Sequence, residues 1–219
     1  MAAMLFYLSR YPAALERVTA EVRGKFGSIE EIRSGAKLNS CTYLRACIDE
    51  TLRISPPSGS ALWRQVIRGG AIFDRQYIPA GYDVGVGIYA IHHNPDYYPD
   101  PHAFKPERWL SDPSDGVEVG GMQKLKLPYA PFSAGPRGCV GKGLALTKLM
   151  LTMAHILYSL DMKEPGPLSR PGKQSSLNSP SQAQSSKTLS DEFQTRDHIT
   201  SAKAGPLLKF RRRLRGFET

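Results

Sequence analysis

Phe132-Ser-Ala-Gly-Pro-Arg-Gly-Cys139-Val-Gly141 is the stretch of this sequence that decides the fold. It places one cysteine on a glycine-rich loop directly before an apolar segment that predicts a helix from about Lys142 to Leu160. Glycine allows backbone conformations closed to other residues and leaves room for a large planar ligand. The positive end of the helix dipole and the fixed charge of Arg137 both favour a thiolate at Cys139. The loop is therefore expected to present one sulfur to a metal.

This loop resembles the cysteine loop of the cytochrome P-450 superfamily of haem-thiolate monooxygenases, which reads Phe-x-x-Gly-x-Arg-x-Cys-x-Gly. Its specified positions are occupied here by Phe132, Gly135, Arg137, Cys139 and Gly141. A lone cysteine is most often a small buried hydrophobic residue, but the complete loop favours a ligand. The resemblance implies that Cys139 is the axial ligand of haem iron, with haem b as the cofactor and the other loop positions around it.

Two further motifs follow the order that the family has. Glu50-Thr-Leu-Arg53 lies in the apolar-periodic stretch Tyr43 to Ile54, which predicts a helix with both charges on one face. Phe104-Lys-Pro-Glu-Arg108-Trp109 is similar to the family's Pro-Glu-Arg-Phe/Trp segment. By itself a Glu/Arg pair is weak evidence, since exposed pairs contribute little. The resemblance implies a structural cluster of Glu50, Arg53 and Arg108, in which both arginines share the carboxylate through bidentate hydrogen bonds.

The segment between these motifs predicts strands. Extended runs on both sides of Pro79-Ala-Gly81 predict a β-hairpin that turns there. Arg64 matches a position where many family members keep an arginine for a haem propionate, and a solvated arginine at a strand end is an equal alternative. For Arg137, inside the cysteine loop, the resemblance favours the propionate.

Length and composition fit one globular domain, with 219 residues, 41% hydrophobic and 22% charged. Family members are about twice as long, and the matching motifs belong to their carboxy-terminal half. The expected fold is therefore mainly α with a small β region, a partial cytochrome P-450 domain over residues 1–219. The serine-rich segment 165–190 predicts a disordered loop. The family's oxygen-activating acid-Thr pair precedes the matching region, so no catalytic residue is expected in this sequence.

No membrane span is expected in the chain. Its apolar opening ends at Ser9-Arg10, well short of the about 20 residues that cross a bilayer, and it lacks the basic flank of a secretory signal. Full-length members resembling this chain lie on the cytosolic face of the endoplasmic reticulum membrane. The membrane anchor of those members is not found in this sequence. The chain itself is therefore expected either in the cytoplasm or at a location that the sequence does not indicate.

The remaining cysteines and histidines do not have the spacing of a metal site. Cys41 and Cys47 lack C-x-x-C spacing and are expected to be packing residues. His155 falls on the predicted apolar helix and is expected in the core. Cys139 is then the one expected metal ligand, because no metal-type spacing joins the other histidines, which are His92, His93, His102 and His198.

The formal net charge of +9 raises the alternative of nucleic-acid binding. Lys209-Phe-Arg-Arg-Arg-Leu-Arg215 could contact phosphate, but no recognition module accompanies it, so no nucleic-acid partner is expected. In the family, the surface on the thiolate side receives an acidic electron donor, which positive charge would steer. An ordinary solvated surface is the alternative. The lysines concerned are Lys124, Lys126, Lys142 and Lys148.

The resemblance implies a haem-dependent monooxygenase that hydroxylates a small organic substrate with oxygen and NADPH-derived electrons. A flavoprotein reductase would be the electron donor. The pattern is nearest to fungal microsomal members, and it leaves the substrate open. This chain alone is expected to be inactive. One alternative is a truncated, non-catalytic protein that binds haem or a partner, and the other is the disfavoured nucleic-acid-associated protein.

Overall fold

Helices form the body of this computed structural model, and small two-stranded sheets lie beside them. The structure describes residues 1–110, 129–163, 192–196, 201–203 and 205–213. The helices are α1 (Ala2–Arg10), α2 (Pro12–Lys25), α3 (Ala36–Asn39), α4 (Thr42–Ile54), α5 (Ile88–His92) and α6 (Lys142–Ser159). The expectation of a mainly α fold with a small β region is confirmed. The loop predicted at 165–190 lies outside the described residues.

Helix α4 is the centre of the core. It is buried on nearly every side, and α1, α2 and α6 pack against it. Leu44, Ile48 and Ile54 are among its fully buried side chains, and burying such a side chain contributes roughly 1.5–3 kcal/mol. Cys41 and Cys47 are also buried here, which agrees with their predicted packing role.

Two charged side chains of α2 bind the free backbone groups at the start of α4 and at the end of α6. Glu21 accepts the backbone N–H groups of Tyr43 (3.0 Å) and Leu44 (2.8 Å) at the start of α4. Arg23 donates to the carbonyls of Leu157 (3.0 Å) and Leu160 (3.1 Å) at the end of α6. A carboxylate at a helix N-terminus and a guanidinium at a C-terminus both complement the helix dipole. These contacts fix α4 and α6 relative to α2.

The strands form antiparallel pairs, and the hairpin turn lies at a different place from the one that the sequence predicts. β2 (Ala71–Phe73) pairs with β3 (Gln76–Ile78) through a two-residue turn at Asp74 (φ 44°) and Arg75 (φ 65°), the backbone of a type I′ hairpin. The predicted hairpin at Pro79-Ala-Gly81 is wrong, because β4 (Asp83–Val84) pairs instead with β1 (Arg64–Gln65). The strands are β1 (Arg64–Gln65), β2 (Ala71–Phe73), β3 (Gln76–Ile78), β4 (Asp83–Val84), β5 (Leu160–Lys163), β6 (Thr195–Arg196), β7 (Ala202–Lys203) and β8 (Lys209–Arg212).

The last strands return the chain to the helical body. β8 pairs with β5, which directly follows α6, and β6 pairs with β7. β8 is exposed along its length, so its basic residues lie on the surface. None of the helices in the described part of the chain combines the length and the apolar character that a membrane span needs.

Candidate functional site

The cysteine loop is closed by hydrogen bonds of its own backbone. The Cys139 N–H donates to the carbonyl of Phe132 at 2.8 Å, and Gly138 N–H donates to Gly135 O at 3.0 Å. Gly135 has φ 64°, in the left-handed region that glycine adopts without strain. A Cβ at Gly138 would lie 3.2 Å from the Gly135 carbonyl oxygen, closer than a side chain normally fits. Glycine at these positions therefore sets the shape of the loop.

Cys139 is exposed at the end of this loop. Helix α6 begins at Lys142, as the sequence predicts, and the Lys142 N–H donates to the Cys139 carbonyl at 3.3 Å. Gly141 lies beside the sulfur, since a Cβ there would be 3.7 Å from Cys139 Sγ. The next apolar side chains along the chain, Val140 and Leu144, are also exposed. The thiol thus stands on an open surface that includes apolar side chains.

The other loop positions and Arg64 lie in different surroundings. Phe132 is half-buried and packs against the core, whereas Arg137 is exposed on the short 3-10 helix Gly135–Arg137. Arg64 is exposed on β1, and its Nη1 donates to the carbonyls of Leu62 (3.3 Å) and Trp63 (2.8 Å). The described hydrogen bonds of Arg64 therefore stay within its own segment, and none brings it to the cysteine loop.

Glu50, Arg53 and Arg108 meet in one buried cluster. Glu50 and Arg53 are 0% exposed. Arg53 binds both carboxylate oxygens, through Nε to Oε2 at 3.0 Å and Nη2 to Oε1 at 2.8 Å. Arg108 Nε donates to Oε1 at 3.1 Å. Only Arg53 is bidentate, so the prediction that both arginines bind through forks is wrong for Arg108.

Arg108 makes a single bond to Glu50 because its other nitrogens bind the backbone. Nη1 donates to Pro99 O at 3.1 Å and Nη2 to Asp100 O at 3.3 Å. Two donors that the sequence did not indicate take the remaining carboxylate positions. They are the indole Nε1 of Trp109, 2.8 Å from Oε2, and the backbone N–H of Lys105, 3.0 Å from Oε1. The carboxylate thereby ties segment 99–109 to α4.

His92 connects this cluster to the start of the cysteine loop. Its Nδ1 lies 3.1 Å from the Arg53 carbonyl, and its Nε2 lies 2.9 Å from the Ala130 backbone nitrogen. Since the Ala130 N–H can only donate, Nε2 accepts and the proton is on Nδ1. Burial lowers the pKa of His92 to about 4, so the ring is neutral at physiological pH. Sequence reasoning missed this role, because nothing in the spacing of His92 indicates it.

Tyr129 anchors the same end of the loop to α4. Its hydroxyl donates to Asp49, 3.0 Å from Oδ1, and its ring packs against Trp109 at 4.6 Å between centroids. Burial raises the pKa of Tyr129 well above its ordinary value, so the hydroxyl remains a donor. The loop that carries Cys139 therefore begins at two points fixed on the buried cluster, Tyr129 and Ala130.

The remaining histidines and lysines fall into separate groups. His155 is half-buried on α6, with Nδ1 2.8 Å from the Leu151 carbonyl. His93 and His102 lie close to one another and to Glu192, although no metal-type spacing predicted it. Lys142 and Lys148 are exposed on α6, while Lys124, Lys126 and His198 lie outside the described residues.

Comparison with known proteins gives a consistent result. The family model described as cytochrome P-450 matches residues 1–185. The chain is 44% identical to a cytochrome P-450 monooxygenase of Gibberella zeae, over 97% of this chain and 46% of that protein. It is 47% identical to one of Gibberella fujikuroi, over 96% of this chain and 54% of that protein. A third, from Penicillium oxalicum, is 44% identical over 98% of this chain and 37% of its own length. The chain thus spans about half or less of these relatives.

Proposed function

Because this chain belongs to the cytochrome P-450 family, we propose that it holds haem b through Cys139 and forms the cysteine-loop half of a monooxygenase. One observation carries the proposal. Cys139 is exposed on a backbone-closed loop directly before α6, and the start of that loop is tied to the buried Glu50 cluster through His92. An exposed sulfur on a rigid support is what axial ligation of iron requires.

The residues present fit haem. A thiolate is a soft ligand suited to iron, and Gly135 and Gly143 each leave open space where a side chain would stand. The exposed apolar side chains Val140 and Leu144 suit contact with a planar apolar ring. When bound, haem supplies oxygen activation, which thiolate ligation favours. Arg137 and Arg64 are proposed to pair with the propionates, since both guanidinium groups are exposed.

The chain's own contribution is positioning. The carboxylate of Glu50 holds Arg53, Arg108 and Trp109 in place. The neutral ring of His92 accepts a hydrogen bond from the Ala130 N–H and so holds the start of the cysteine loop against the cluster. These groups hold the sulfur at a fixed place without themselves touching a substrate.

We propose hydroxylation of a small organic substrate with NADPH-derived electrons from a flavoprotein reductase. The exposed Lys142 and Lys148 support docking of an acidic donor on the α6 side. The resemblance to microsomal members supports a location on the cytosolic face of the endoplasmic reticulum membrane for the whole protein.

A chimera tests this proposal. Residues 1–219 replace the matching stretch of the Gibberella zeae monooxygenase, and the product is supplied with haem, a reductase and NADPH. The proposal expects one haem per chain and NADPH oxidation that depends on substrate, measured over a panel of aromatic and terpenoid compounds. A chimera that folds with the helical content of the Gibberella protein but takes up no haem contradicts the proposal.

The second candidate is a non-catalytic haem-binding or interaction protein. The openness of Cys139 favours it, because a solvated thiol can take a ligand without an enclosed substrate site. The two candidates differ in the chimera: full haem content without substrate-dependent turnover, although the parent Gibberella protein turns over, supports the non-catalytic one.

A further inference from the structure

We infer that His93, His102 and Glu192 form a binding site for a divalent transition-metal ion such as Zn²⁺. One ligand atom from each side chain lies within 4.8 Å of the others. Nitrogen and oxygen ligands of zinc stand about 2.0–2.2 Å from the ion, which separates neighbouring ligand atoms by about 3.3 Å in a tetrahedral site. The ligand atoms that lie farthest apart therefore need to approach by at most about 1.5 Å.

The hydrogen bonding of the His93 ring suits a metal ligand. Its Nδ1 lies 2.9 Å from the Tyr89 carbonyl, to which it can only donate, so Nε2 carries the free lone pair. His93 is only 8% exposed, and its Nε2 is buried without a hydrogen-bond partner among the described residues. A backbone carbonyl that binds the second ring nitrogen is the usual support of a metal-ligating histidine.

His102 and Glu192 complete the cluster. The Glu192 carboxylate accepts from the Tyr89 hydroxyl at 3.0 Å through Oε2, and its Oε1 lies 2.7 Å from His102 Nδ1. The rings of His93 and His102 stand 5.0 Å apart between centroids. The contact between His102 and Glu192 accounts for those two side chains without a metal. It leaves the buried Nε2 of His93 unpaired, and a bound cation would satisfy it.

The donor set identifies the class of metal. Two imidazoles and a carboxylate suit Zn²⁺, Ni²⁺ or Cu²⁺, whereas Mg²⁺ and Ca²⁺ prefer oxygen ligands. A bound ion would cross-link the end of α5, the segment after Pro101 and the start of segment 192–196. It would therefore fasten the carboxy-terminal segment to the helical body.

Zinc titration of the full chain tests the inference. The protein carries Cys139→Ser, so that the exposed thiol contributes no ligand, and ZnCl₂ alone is titrated by isothermal calorimetry near neutral pH. We expect one zinc per chain and no comparable binding of MgCl₂. His102→Ala and Glu192→Gln should each weaken zinc binding by at least about tenfold, and Tyr89→Phe, which removes only the hydroxyl that orients Glu192, by about tenfold.

Matched controls make each outcome decisive. His155→Ala removes a histidine outside the cluster and should leave zinc affinity unchanged. The side chain of His102 is about half exposed (53%) and that of Glu192 is 24% exposed, so both variants should keep the parent circular dichroism spectrum. The inference is overturned if the parent chain shows no saturable zinc binding. It is equally overturned if His102→Ala and Glu192→Gln bind zinc as tightly as His155→Ala does.

Discussion

Glu50→Gln removes the charge at the centre of the buried cluster while keeping its shape. Glu50 and Arg53 are both 0% exposed, and Arg53 donates to both carboxylate oxygens. The glutamine amide replaces one acceptor with an NH₂ donor, which then faces the nitrogen of Arg53, Arg108 or Trp109. The buried guanidinium of Arg53 also loses its compensating charge. The substitution therefore creates two faults at once, an unpaired charge and a donor facing a donor.

The expected loss of stability follows from this burial. Breaking a buried ion pair by removing one partner costs roughly 3–5 kcal/mol, against about 0–1 kcal/mol for an exposed pair. Arg53 keeps its bonds to the carbonyls of His92 (2.9 Å) and Pro101 (2.7 Å), which favours the lower end. We expect the free energy of unfolding to fall by about 3 kcal/mol, a large share of the about 5–15 kcal/mol typical of a folded domain.

Urea unfolding followed by far-ultraviolet circular dichroism measures this loss. Glu16→Gln is the matched control, because Glu16 is an exposed glutamate on α2 and such a change should stay within about 0.5 kcal/mol. The reasoning is refuted if Glu50→Gln unfolds at the same urea concentration as Glu16→Gln.

Three further predictions concern the cluster, its link to the loop and the chain alone. Arg108→Lys should lower the haem content of the chimera, which absorbance measures. The reason is that one ammonium cannot reach Glu50 Oε1 and the carbonyls of Pro99 and Asp100 together. Wild-type haem content in this variant would contradict the prediction. The folded state holds His92 neutral with a pKa of about 4 against about 6.5 when unfolded, so its stabilising contribution is complete above pH 6.5 and declines by roughly 3 kcal/mol as pH falls to about 4. His92→Gln should flatten that part of the urea midpoint against pH, and an unchanged slope would refute the assignment. Residues 1–219 alone, given haem, a reductase and NADPH, should form no hydroxylated product above a free-haem control, because solvent reaches the exposed Cys139; turnover above that control would contradict it.

Local patterns were sufficient to predict two of the helices, α4 and α6. The apolar period around Glu50 predicted α4, and the run after Cys139 predicted the first residue of α6. The turn at Asp74 and Arg75 was missed, because Asp-Arg is not one of the Asn-Gly, Asp-Gly or Gly-Gly pairs that indicate a type I′ turn, although both residues adopt positive φ. Proline and glycine at Pro79-Ala-Gly81 gave the stronger turn signal, but that turn separates two different sheets.

Contacts between distant segments were beyond the reach of the sequence. Trp109 joins the cluster because segment 99–109 folds back on α4, and His92 contacts the loop because Ala130 returns to the end of α5. Glu192 contacts His102 across 90 residues of sequence, and spacing carries no signal for such a contact. The motifs did predict that Glu50, Arg53 and Arg108 meet. They did not predict that Arg108 makes only a single bond to Glu50.

The central claim is that Cys139 is the axial ligand of haem iron. The most direct measurement is the absorption spectrum of the reduced carbon monoxide complex of the chimera, recorded for the parent and for Cys139→Ser. The parent should show the band typical of thiolate ligation, and the variant should lose it, since a serine hydroxyl is less soft and harder to deprotonate. The same thiolate band in both proteins would contradict the account.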